Sequence, residues 1–215
     1  MPIEQTKLLA RLLEVTRNLS TFADLETYLQ SILSAAAELT DSESASLMEY
    51  DETSREFYFR FVPWFHRDAI KDARVPLTGS VAGWIFLHEK PLILNDVKND
   101  PRHYSKIDEI SGFMTRSLMG VPLILHGKPV GVFEVFNKTI GVDYTDEDIL
   151  IMEALASLAS TAMQNNLLER NIQSSQEGVR ELDRLKNEFI AITSHELRTP
   201  LGLILGHSTF LRELV

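Results

Sequence analysis

The chain has 215 residues, 44% hydrophobic and 24% charged, the balance of a folded protein with room for one domain and an extra element or two small domains. Its net charge of −10 argues against general nucleic-acid binding, and the lack of cysteine excludes disulfides, thiolate metal sites and a thioether-linked chromophore. No apolar run approaches the ~18 residues of a membrane span, and Met1 to Gln5 lacks the basic and apolar regions of a signal peptide, so a cytoplasmic location without a membrane span is expected.

Residues 4–19 predict a helix, with Leu8, Leu12, Val15 and Leu19 on one stripe. Ser20 and Thr21 are candidate caps for a second helix carrying Phe22, Leu25, Leu29, Ile32, Ala36 and Leu39. Ser44 to Tyr50 and Arg55 to Val62 read as strands joined by a turn at Asp51-Glu52-Thr53-Ser54, with Phe57, Phe59 and Phe61 expected on one face. A short helix, Ser80 to His88, is opened by Thr78-Gly79-Ser80, and a strand follows at Leu92-Ile93-Leu94. The clearest hairpin pairs Ser117–Leu125 with Pro129–Asn137 around His126-Gly127-Lys128. From about Asp143–Asp148 onward almost nothing breaks a helix until Pro200.

In that long helix Ile151, Leu155, Leu158 and Ala162 form one apolar block, and Leu168, Ile172, Ser175, Val179 and Leu182 a second. The stripe shifts phase through Asn165, and Ser174 to Gly178 is a soft point, where Gly178 alone costs about 1 kcal/mol relative to Ala. A parallel homodimer with a coiled-coil-like seam is the expectation, which the first helix could join; a flexible linker is the plainer alternative.

Two stretches carry a family resemblance. Val75-Pro76-Leu77-Thr78-Gly79-Ser80-Val81-Ala82-Gly83-Trp84 with Lys90 to Asp96, and Ser117 to Leu123 with Gly127 to Lys138, resemble the middle of a GAF domain. The resemblance implies an α+β fold, an antiparallel sheet flanked by helices around a closed pocket for a small molecule of unknown identity. The cyclic-nucleotide branch of the family is matched only in part: Asn137-Lys138 is present, Tyr144 stands at a Phe position, Asp148 follows, and Ile149 replaces a Glu. The plainer reading ends a strand at Asn137-Lys138 and starts a helix at Asp146–Asp148, where the dipole favours negative charge. Candidate ligand residues are Trp64, beside Phe65 and His66, and Thr78, Gly79 and Ser80, whose backbone could meet an anion or simply cap a helix. Glu134 lies inside an apolar strand in a common family pattern and says little about the ligand. His66, His88, His103 and His126 are too scattered for a metal site; no metal is expected, with a single-histidine haem a minor alternative.

Phe189-Ile190-Ala191-Ile192-Thr193-Ser194-His195-Glu196-Leu197-Arg198-Thr199-Pro200-Leu201 resembles the phosphoacceptor box of sensor histidine kinases. On a helix of about 100° per residue, His195 shares a polar, small-residue face with Glu188, Ala191, Thr199, Gly202 and Gly206, opposite Ile190, Leu197, Leu201 and Ile204. A carboxylate at Glu196 can hold a ring N–H and accept its proton. The resemblance implies His195 as phosphoacceptor, Glu196 as general base and Thr199 as the residue positioning water in dephosphorylation. It also implies a response-regulator receiver domain as partner, and ATP and Mg in a catalytic domain absent from these residues. The expected organisation is an N-terminal helix (1–19), a GAF sensor (20–165), a coiled-coil linker (166–184) and the start of a dimerisation and histidine-phosphotransfer domain (185–215). The long dimerising helix would lead into the phosphotransfer helix. As a fragment of a longer kinase the chain alone should be inactive; the alternative is a non-enzymatic GAF ligand-binding regulatory dimer.

Overall fold

The computed structural model describes residues 3–18, 24–62, 70–168 and scattered helical positions between 172 and 186. The chain divides into two compact units, Met1–Asn166 and Leu167–Val215. His195, Glu196 and Thr199, together with Trp64, lie outside the described residues.

The first unit opens with α1 (Ile3–Asn18) and α2 (Leu25–Leu39). Asp24 rather than Ser20 or Thr21 caps α2: its extended backbone lets the carboxylate accept from the Thr27 N–H at 3.2 Å. Strands β1 (Ser42–Asp51), β2 (Glu56–Phe61), β3 (Arg74–Pro76), β4 (Leu92–Leu94), β5 (Leu118–Leu125) and β6 (Lys128–Lys138) form one sheet ordered β3-β2-β1-β6-β5-β4, and every pairing is antiparallel. Helices α3 (Val81–His88) and α4 (Lys106–Ser111) lie between strands, and α5 (146–168) follows the sheet. Among the described residues no helix is long and apolar enough to cross a membrane.

Alternation along the strands sorts side chains to two faces. Ala45, Leu47, Met119, Val121, Phe133 and Val135 share one core with α1, α2 and α5, through Val15, Leu29, Ile32, Met152, Leu155 and Ala159. Met48, Phe57, Val132 and Leu118 face the other core, completed by Val81, Ala82 and Ile85 of α3. Burial thus claims both faces of the central strands.

Two sequence expectations change here. Phe57 and Phe59 share the α3 face, but Phe61 joins the α2 side. A bulge explains it: Leu47 pairs with Phe61 and Met48 with Phe59, so Arg60 is an extra residue on β2, and one extra residue flips the side-chain alternation. The helical stripes also act inside the domain. Val15 of α1 and Leu155 and Ala162 of α5 are buried in the domain's own core, so the block Ile151–Ala162 packs on the sheet. Leu168, Ile172 and Leu182 are exposed along the single chain.

The β5–β6 hairpin turns at His126 and Gly127, both with positive φ (52° and 74°), the turn whose twist matches its strands. At the start of helix α5 Asp148 Oδ2 accepts from the Thr145 N–H at 2.8 Å and from its hydroxyl.

Candidate functional site

A cavity opens between the α3 face of the sheet and the segment 103–115, with about 90 Å³ accessible to the centre of a water-sized sphere. One water needs roughly 10–15 Å³ by that measure, so the space suits a small organic molecule. Its floor is sheet: Ser44, Ser46 and Met48 of β1, Glu134 and Phe136 of β6, and Leu118 of β5. Its walls come from α3 and α4, with Val81, Ile107 and Asp108, and from the flanking His103, Tyr104 and Thr115.

Glu134 is the chemically distinctive group. Register fixes it: it pairs with Ser46 on β1 and Gly120 on β5, so all three positions share the cavity face. The bare Gly120 leaves this space open, since a Cβ there would come within 2.5 Å of Ile85 Cδ1 and 3.0 Å of Glu134 Cγ. Glu134 is only 4% exposed, and its carboxyl makes no hydrogen bond or ion pair among the described residues. Burial alone pushes it up from 4.5 to about 8. It is therefore mostly protonated near neutral pH. The neighbouring Ser46 Oγ, on a residue 3% exposed, is likewise unpartnered among the described residues. On the opposite wall Asp108 is engaged: it accepts from the Thr115 N–H at 2.9 Å and hydroxyl at 2.7 Å, with His103 Nε2 at 3.4 Å.

The residues singled out from sequence fall differently. Ser80 lines the cavity, but its hydroxyl is occupied: it donates to the Pro76 carbonyl at 2.5 Å and accepts from the Gly83 N–H at 2.9 Å as the cap of α3. Thr78 and Gly79 are exposed in the preceding loop and do not line the cavity. His88 stacks on Trp84 at 4.3 Å and donates through Nδ1 to its carbonyl. No group of three or more metal-ligating side chains occurs among the described residues.

Asn137, Lys138, Tyr144 and Asp148, the partial cyclic-nucleotide motif, form a brace outside the cavity. Asn137, in the left-handed region at φ 59°, accepts from the Arg116 N–H at 2.7 Å and donates to Glu43 and the Met114 carbonyl. Arg116 bonding, seconded by Asn137, holds the Glu43 carboxyl below its ordinary range. Lys138 Nζ reaches both Asp148 oxygens at 2.7 Å and the Thr40 carbonyl at 3.2 Å, satisfying its three donors. The Tyr144 hydroxyl pairs with Ser42 at 2.9 Å, and burial pushes it up to about 12.

Sequence reasoning passed over Glu134, Ser46 and Asp108 as site residues. The available signal was a carboxylate inside a strand that is otherwise apolar on both faces, where only a cavity or a partner relieves burial.

The sheet carries α1, α2 and α5 on one face, and α3 with a small buried cavity on the other, the architecture of a small-molecule-binding domain. Residues 23–164 match the family model for the GAF domain, and the chain belongs to that family. It is 23% identical over 187 residues to the Caenorhabditis elegans protein described as "Probable 3',5'-cyclic phosphodiesterase pde-5", covering 82% of this chain and 26% of that one, so it spans about a quarter of that relative. The fold matches the GAF domain of a Coxiella burnetii phosphoenolpyruvate-protein phosphotransferase with a TM-score of 0.68 at 16% identity, over 76% of this chain and 96% of the other. It also matches a Neisseria meningitidis free methionine-R-sulfoxide reductase in complex with its substrate, with a TM-score of 0.58 at 19% identity over 71% and 86%.

Proposed function

We propose that this chain is the sensory half of an ATP-dependent protein-histidine kinase of a two-component system. In this reading a small molecule in the GAF cavity controls phosphorylation of His195, and the phosphoryl group passes to an aspartate on a response regulator. The observation that carries it is the order of parts: a GAF domain whose last helix, α5, precedes a sequence that resembles the phosphoacceptor box from Phe189 to Leu201.

His195 Nε2 attacks the γ-phosphate of ATP bound with Mg in a catalytic domain elsewhere in the protein, the bond from the γ-phosphorus to the bridging oxygen breaks and ADP leaves, while Glu196 takes the ring proton. Thr199, four residues on in the sequence, orients water when the phosphorylated regulator is hydrolysed. The working unit is a homodimer joined along the helix that carries Leu168, Ile172 and Leu182. The exposure of these three leucine and isoleucine side chains on the single chain supports it.

The test is phosphorylation of the full-length protein by ATP. Wild type should incorporate phosphate that is labile in acid and stable in base, and His195→Gln should incorporate none. Undiminished incorporation in that variant overturns the assignment.

A further inference from the structure

The GAF cavity carries an unusual set of polar groups for a site with so much apolar wall. Glu134 and Ser46 face it side by side from paired positions on β6 and β1, both almost wholly buried and both without a partner among the described residues. Ser44 adds a second hydroxyl two residues along the same strand. Native proteins seldom leave buried polar groups unsatisfied, and a carboxyl and a hydroxyl left open on one cavity floor are a ready pair of acceptors for an N–H donor.

The charges facing the floor narrow the choice. From α4 comes Asp108, already bonded to Thr115, and from the loop before it His103. No lysine or arginine is among the described residues that line the cavity. Lys138 and Arg116, nearby in the fold, are committed to Asp148 and Glu43. Among the described residues the cavity thus offers two carboxyl groups and no lysine or arginine: nothing there pairs with a phosphate or carboxylate ligand, whereas Glu134, on giving up its proton, can pair with a cation.

We propose that the cavity binds a small organic cation, an ammonium or amidinium group on a compact apolar body. Its N–H donors go to Glu134 and Ser46, and its body lies against Met48, Leu118 and Phe136. Binding moves one proton. The neutral Glu134 carboxyl loses its hydrogen to solvent as the cation arrives, leaving a carboxylate paired with it. With the carboxyl titrating near 8, about 0.9 proton should be released per ligand at pH 7. Ser46 contributes a hydrogen bond and no charge.

The inference rests on the cavity being the sensing site and deepens that reading; it is independent of whether His195 is phosphorylated. The test is calorimetric titration of the 215-residue chain at pH 7 with matched probes: benzylamine against benzyl alcohol and benzoate, and propylamine against propanol. The titrations are repeated in two buffers of different ionisation heat to count protons. Each amine should bind at least tenfold more tightly than its alcohol and release close to one proton, and benzoate should not bind. Glu134→Gln, which keeps the shape and neutrality of the resting carboxyl, should remove the amine preference and the proton release with an unchanged near-ultraviolet circular dichroism spectrum. Ser46→Ala should weaken the amine severalfold while keeping the proton release. If no amine binds more tightly than its alcohol, or if Glu134→Gln keeps both preference and proton release, the cation site is overturned. His195 phosphorylation measured separately would leave the kinase reading standing in that case.

Discussion

Lys138 and Asp148 meet at 2.7 Å with side chains only 8% exposed, tying the last strand of the sheet to the first turn of α5. The pair lies ten residues apart across the loop that carries Tyr144, and the same lysine holds the carbonyl of Thr40 at the end of α2. One ammonium therefore fixes three elements at one corner of the domain.

Removing one member of this pair strands the other in a dry site. Lys138→Met should destabilise the first unit by about 3–5 kcal/mol, the range for a broken buried pair, and Lys138→Met with Asp148→Leu should recover much of the loss. Urea unfolding of both variants against wild type checks it. With Asp148→Leu measured as well, a double-variant loss equal to the sum of the two single losses would show that the charges are not coupled.

Glu134 gives stability a pH dependence of definite sign. Its carboxyl titrates near 4.5 when unfolded and near 8 when folded, so between those values the folded state holds the extra proton. Its contribution is full below about pH 4.5, falls by about 1.4 kcal/mol per pH unit through the window, and levels off above about 8. Glu134→Gln should flatten this fall. Chemical unfolding of wild type and variant at steps from pH 5 to 9 measures the difference; parallel curves would contradict the burial of an ionisable carboxyl.

Gly131 of β6 pairs with Glu49 of β1, and a Cβ there would collide with the carbonyl oxygen of Met48. That atom is backbone and cannot swing aside. Gly131→Ala should destabilise the domain by about 2 kcal/mol or more by forcing the two central strands apart. Gly112→Ala, in open space but at φ 69°, should cost less, of the order of 1 kcal/mol from the left-handed backbone alone. Thermal unfolding of the two variants side by side tests the ranking.

The dimer in the kinase reading has its own assay. Sedimentation of the 215-residue chain at tens of micromolar should give a dimer (roughly the affinity expected of a helical pair). Ile172→Glu with Leu182→Glu, both at exposed positions, should raise the dissociation constant at least tenfold without lowering the melting temperature of the first unit. A wild-type monomer would remove the helix as the dimer contact.

Much of the fold was legible because burial writes itself as periodicity. The stripe through Ile151, Leu155, Leu158 and Ala162 announces a helix, and the hairpin at His126-Gly127 is visible from turn chemistry. What these patterns face is not local information. The stripe of α5 reads equally well as a dimer seam, and only the sheet pairing shows that its first block fills the domain core. Phe61 defeats the alternation because a bulge is set by the partner strand. Glu134 was visible as an oddity, but its role depends on standing opposite Ser46, eighty-eight positions away. Lys138 and Asp148 each have a sufficient local explanation, as a strand end and a helix start, which conceals that they bind each other.

The alternation along β6 has one further consequence. Glu134 and Phe136 face the cavity, and Phe133 and Val135, threaded between them, press into the core that holds Met152 and Leu155 of α5. A single thickness of backbone separates the chamber from the helix. One strand is thus the shared wall of the chamber and of the core that holds α5, so the shape of the one and the packing of the other are set by the same stretch of backbone.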